Sequence, residues 1–117
     1  MLQTKIVHEE LKEDDTVYSA VLIEVKNAYI VLLSEAEENL GTLAVSLPQK
    51  PEMSSLPLSS ILLGERNTTI ARLVAERLVG SVHKMVLVSV YVRSLDERKA
   101  TRVFLKLLEK ILKKKAT

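Results

Sequence analysis

Ser59 to Val92 reads SSILLGERNTTIARLVAERLVGSVHKMVLVSVYV, and the period of its apolar residues changes twice. Leu58 to Leu63 alternates, with Ser59, Ile61 and Leu63 on one side and Leu58, Ser60 and Leu62 on the other, which predicts a short strand. Gly64 ends it. Asn67 or Thr68 then offers a side-chain oxygen to the orphan N–H groups of a helix start, and Ile70, Leu73, Val74 and Leu78 fall on one helical stripe. Gly80 suggests a helix cap or a close approach of helix to sheet. From Lys84 to Val92 the period returns to two, with Val86, Val88, Val90 and Val92 facing one way and Met85, Leu87, Ser89 and Tyr91 the other. So β-branched a run suits a central strand.

Upstream, period two dominates. Val17 to Val25 predicts a strand with two usable faces, and Ala28 to Leu33 continues after Lys26-Asn27, a two-residue hairpin turn that sets Val25 against Ala28 and Ile23 against Ile30. Leu2 to His8 reads as an edge strand, and Thr42 to Leu47 as another strand after the acidic loop that Gly41 closes. Pro48, Pro51 and Pro57 bracket a segment that can form neither a helix nor a central strand, because each proline lacks a backbone donor. Downstream, Ser94 and Glu97 have the spacing of a capping box, and Ala100, Val103, Phe104, Leu107, Leu108 and Ile111 recur at three and four. Lys113 to Lys115 complement the dipole at that helix's end.

The 117 residues, 47% hydrophobic, suffice for a single domain spanning 1–117. The absence of cysteine excludes disulfides, thiolate metal sites and thiol nucleophiles. With no run of about 20 apolar residues and no leader pattern, a cytoplasmic chain is expected. Chemistry is hard to find. His8 and His83 sit in no ligand spacing, Ser54, Ser55, Ser59 and Ser60 have no nucleophile context, and Gly64 is not part of a phosphate-binding loop. Neither enzyme activity, metal nor cofactor is expected. Charge is unevenly spread, at −6 over residues 1–40 (nine acidic, three basic) and +5 over residues 94–117 (eight basic, three acidic). One alternative follows from this: Arg98, Lys99, Arg102, Lys106, Lys110 and Lys113 could form a nucleic-acid-binding helix face. Against it stand the acidic first third and an aromatic content of 3%, which leaves no stacking platform.

These elements predict an α+β fold, an antiparallel sheet of about six strands with two helices on one face. The other face is then expected to carry Tyr18, Leu22, Tyr29, Val31, Leu87 and Tyr91, more apolar surface than a monomer ordinarily exposes. Those six residues are the expected dimer interface. A roadblock-like or longin-like dimeric scaffold would share this logic, but it usually places a helix before the first hairpin, and no helical pattern stands there.

Several short motifs add a resemblance. Leu62-Leu63-Gly64 follows a short strand, Thr68-Thr69 opens a helix, and Leu73-Val74-Ala75-Glu76-Arg77-Leu78 is followed by Val88-Ser89-Val90-Tyr91 in a Val-rich strand. Asn39-Leu40 with Leu43-Ala44-Val45 supplies an earlier match. The pattern resembles the proteasome assembly chaperones of the third and fourth types, the fourth more closely, over roughly residues 17–111. The resemblance implies an obligate dimer that binds α-type subunits of the core proteasome and promotes α-ring assembly, without nucleotide or metal. The eukaryotic arrangement pairs two different chaperone chains, whereas a self-complementary face here implies a homodimer and suggests an archaeal source. Partner contact is expected at the proline loop, through Met53 and Leu56, and at Arg66 and Arg93, whose forked donors suit carboxylates.

Overall fold

The computed structural model describes residues 4–48, 58–94 and 96–116. Among these, the elements run β1 (Lys5–Glu13), β2 (Thr16–Val25), β3 (Ala28–Glu35), β4 (Thr42–Ser46), β5 (Ser59–Leu63), α1 (Thr68–Val82), β6 (Met85–Tyr91) and α2 (Glu97–Ala116). The expected order of elements is found. Two hairpins build the N-terminal meander, and the register Val25 to Ala28 and Ile23 to Ile30 is the one that the Lys26-Asn27 turn predicts. Neither Lys26 nor Asn27 has the positive φ that a two-residue hairpin turn ordinarily demands. Asp14 and Asp15, at φ 52° and 64°, make the β1–β2 turn, and two consecutive positive φ values match the right-handed twist of the flanking strands.

The six strands form one sheet in the order β1-β2-β3-β6-β4-β5. Every pair is antiparallel except β3 with β6, so the sheet is mixed rather than wholly antiparallel. The chain leaves β3, builds β4, β5 and α1, and returns to insert β6 between β3 and β4. A strand so placed has neighbours on both edges, as its valine run leads one to expect.

Both helices cover one face, α1 over β4, β5 and β6 and α2 over β1 and β2. Pairing sets Leu22, Val31, Val88 and Ala44 in one row beneath them. The core is this row and its neighbours with Ile70, Val74 and Leu78 of α1 and Val103, Phe104, Leu107 and Ile111 of α2. Phe104 is fully buried and meets Tyr18 edge to face, the ring centroids 5.8 Å apart and the planes at 82°.

The helix ends differ from their sequence signals. Asn67 precedes α1 in a left-handed conformation (φ 58°) and makes no side-chain cap. Gly80 lies inside α1 with nothing near its Cβ position, and His83, also left-handed, ends the helix by donating its N–H to the Val79 carbonyl at 3.1 Å. At the start of α2, the Lys99 amide donates to Asp96 Oδ1 at 3.1 Å, so Asp96 acts as the cap. Ser94 and Glu97 do not form the expected box: Ser94 Oγ donates to Glu35 Oε2 at 2.7 Å, and Glu97 Oε1 accepts from Asn67 Nδ2 at 2.7 Å. Capping spacing does not decide between a local partner and a tertiary one, and here the tertiary ones win.

Candidate interaction surfaces

The sheet face away from the helices is defined by the row Ile23, Ile30, Leu87 and Val45. All four are half-buried, as are Val21, Leu32, Leu43 and Met85. Alternation places them one residue out of phase with the core row. Of the six residues expected at a dimer interface, Leu87 and Tyr91 lie on this open face. Tyr18, Leu22, Tyr29 and Val31 lie on the opposite one, 0–3% exposed beneath the helices. The reason is phase: sequence alternation defines the two faces of each strand but not which face of β2 and β3 aligns with which face of β6. Ile23, Ile30, Leu32 and Val45 were missed for the same reason, although the predicted pairing of Ile23 with Ile30 already joined two of them.

One end of the open face is covered by the chain itself. Ser19, Ser34 and Ser89 belong to this face yet are buried, because the segment after β3 folds over them. The Asn39 amide donates to Ser34 Oγ at 3.2 Å, and the Gly41 amide donates to Ser89 Oγ at 2.8 Å. Ser19 Oγ has no hydrogen-bond partner among the described residues. Beyond this covered end the part of the face built by β2, β3, β6 and β4 stays apolar and open, while β1 presents His8 and Glu10 along its edge.

Arg66 and Arg93, the expected partner contacts, are exposed. Arg66 follows the β5 turn, where its carbonyl accepts from Thr42 Oγ1, and borders a cleft of about 320 Å³ whose lining includes Gly41, Gly64, Asn67 and Val92 but not Arg93. Met53 and Leu56 lie outside the described residues. A residue that sequence reasoning passed over anchors this end of the molecule. Glu35, only 5% exposed, accepts from the Arg93 amide (3.1 Å), the Ser94 amide (2.9 Å) and Ser94 Oγ (2.7 Å). Three donors offset the cost of burying a carboxylate and hold the chain entering α2 against the end of β3.

The uneven charge of the sequence resolves into a set of contacts between α2 and β1. Lys99 reaches Asp14 at 2.5 Å, Arg102 reaches Glu13 at 2.7 Å, and Glu9 takes Lys114 at 2.6 Å and Lys110 at 3.8 Å. Three of the six cations that would serve a nucleic-acid face are thus spent on carboxylates of the same chain. Hydrogen bonding from Lys114 lowers the pKa of Glu9 below its ordinary 4.5, and hydrogen bonding from Lys99 lowers that of Asp14 below 3.8. The bond to Asp14 likewise raises Lys99 above 10.5. Depressed carboxylates contribute stability that is present above their unfolded values and lost as pH falls through the folded ones; the raised lysine contribution is lost only as pH rises past its folded value. Acidification from about pH 6 to about pH 3 should therefore lower the melting temperature, and Glu9→Gln with Asp14→Asn should make that drop smaller. An equal drop in parent and variant would show that these pairs do not tether α2.

Among the described residues no group of three or more His, Asp or Glu is arranged to hold a metal, and no helix is long and apolar enough to cross a membrane. No family model and no curated protein matches the sequence. Among solved structures, the chain is similar to one from a chaperone complex for assembly of the yeast 20S proteasome. The two share 16% sequence identity and a TM-score of 0.69, over 97% of this chain and 94% of that one, so what they have in common is the fold.

Proposed function

We propose that this protein is a non-catalytic chaperone of core-proteasome assembly, acting as a homodimer that binds α-type subunits and promotes α-ring formation. The observation that carries the proposal is the extent of the structural match: a chain of the yeast assembly-chaperone complex follows this one over nearly the full length of both. The open apolar sheet face supports the dimer. Burial at about 25 cal/mol per Å² of apolar area would stabilise a face-to-face pairing, and a sheet face can complement itself about a two-fold axis. In this reading Arg66 and Arg93, with Met53 and Leu56 of the proline loop, contact the α subunit in the cytoplasm, and no cofactor takes part.

Leu87→Asp tests both parts of the proposal. The substitution places a carboxylate at the centre of the open face, where pairing would bury it without a partner, and dimerisation should weaken by roughly a hundredfold or more. Leu22→Asp is not an equivalent probe, because Leu22 is 2% exposed in the core and its replacement would unfold the chain. Sedimentation should show the parent as a dimer at micromolar concentration and the Leu87 variant as a folded monomer. Immobilised parent protein should retain recombinant α-type subunits, and the variant should retain far less. A parent protein that stays monomeric at tens of micromolar and captures no α subunit would overturn the proposal.

A further inference from the structure

Helices α1 and α2 share the sheet but barely touch each other. Between them runs a trough of about 640 Å³ walled by Ile70 and Leu73 of α1 and by Thr101 and Leu105 of α2. Leu105 and Glu109 also line a smaller hollow further along, with Leu78, Leu108 and Leu112, so the apolar floor continues toward the C-terminal end of α2. Leu73 is 43% exposed although it falls on the apolar stripe of α1, because it points into this gap and not onto the sheet.

The charges on the walls are as informative as the floor. On the β1 side of α2, Lys99, Lys110 and Lys114 meet carboxylates, and so does Arg102, which also borders the trough but is held by Glu13. On the trough side, Arg98 and Lys106 form no ion pair among the described residues, and neither does Arg77 at the α1 wall of the smaller hollow. Of the two wall carboxylates, Glu97 is engaged by Asn67, which leaves Glu109 against three unpaired cations. From Glu97 to Leu112 the walls run for about 22 Å at 1.5 Å per residue, or about four turns of a partner helix.

We infer that the trough between α1 and α2 is a docking site for an amphipathic helix of a partner protein, one with leucine-type side chains on its buried face and acidic residues on its flanks. Leucine anchors would cover Leu73 and Leu105, and the flanking carboxylates would meet Arg98, Lys106 and Arg77. This is the helix-in-groove mode of recognition, in which anchors at i, i+3 or i+4 and i+7 supply the buried area. The inference stands on the trough alone and does not depend on the proteasome reading.

A fluorescein-labelled helical peptide of about 14 residues, with leucines on one face and glutamates on its flanks, is the probe. Binding in the micromolar range is expected, with amide chemical-shift changes concentrated at Thr69, Leu73, Thr101 and Leu105. Leu73→Asp should weaken binding by roughly tenfold or more, and its exposure allows the variant to fold, which an unchanged melting temperature would verify. Arg98→Glu with Lys106→Glu should turn the preference toward a peptide whose glutamates are replaced by lysines. Failure of the glutamate peptide to bind, shift changes confined to the open sheet face, equal affinity for the Leu73 variant, or an unaltered charge preference in the double variant would each overturn the inference.

Discussion

Phe104→Ala is expected to destabilise the fold by about 3–5 kcal/mol, the usual cost of removing a large buried aromatic side chain. Phe104 is the largest fully buried side chain and sits where α2 meets the β2 layer. Its loss would leave a cavity in a close-packed interior and remove the edge-to-face partner of the Tyr18 ring. Domains of this size hold about 5–15 kcal/mol in total, so the variant should melt on the order of 10–20 °C lower than the parent. Phe104→Leu restores much of the volume but not the ring contact and should fall between the two. A thermal or denaturant melt of Phe104→Ala within about 1 kcal/mol of the parent would show that α2 contributes far less to the core than its burial implies.

The second large effect is expected at Gly41. A Cβ there would collide with the Val90 carbonyl oxygen, and it would stand 2.7 Å from that carbonyl carbon and 2.9 Å from Tyr91 Cα. These are backbone atoms of the central strand, so no rotamer change relieves them. Gly41→Ala must therefore push the start of β4 away from β6, strain the Thr42 to Val90 pairing and lengthen the hydrogen bond that the Gly41 N–H donates to Ser89 Oγ. A loss of about 3 kcal/mol or failure to fold is expected. Gly80→Ala is the matched control. That position is open and interior to α1, and an alanine there should stabilise the chain by about 0.5–1 kcal/mol through helix propensity. Equal melting temperatures for the two variants would show that the Gly41 approach is not a tight one.

Much of this architecture is legible in the chain, and what escaped did so for identifiable reasons. Local signals carried β2 to β6, the Lys26-Asn27 hairpin register and the α2 stripe, because period and turn chemistry act within a few residues. By contrast β1, expected over Leu2 to His8, runs on to Glu13 through charged residues that hide its alternation. What depends on distant pairing did not come through. The parallel join of β3 to β6 is absent from any local pattern, and with it went the phase that separates Leu22 and Val31 from Leu87. Ser94 and Glu97 match a capping box in sequence, yet Glu35 and Asn67 claim them from 59 and 30 residues away. The carboxylates of Glu9, Glu13 and Asp14 meet their α2 partners only when that helix is laid across β1, a contact that no local pattern records. For the candidate surfaces the consequence is direct: the existence of an open apolar face could be anticipated, but its membership could not.

The insertion of β6 between β3 and β4 also has a kinetic consequence. While the chain is being synthesised, the β1–β3 meander can form early, but the edge of β3 and the β4–β5 pair must wait for a strand that begins at Met85. Closing the sheet is thus a late, non-local event that incurs loop-closure entropy before its contacts form, which slows folding. Until then β3 offers a hydrophobic edge to any other nascent strand, the situation in which intermolecular misassembly begins. Refolding yield should therefore fall steeply with protein concentration even though the finished sheet leaves no edge of β3 exposed.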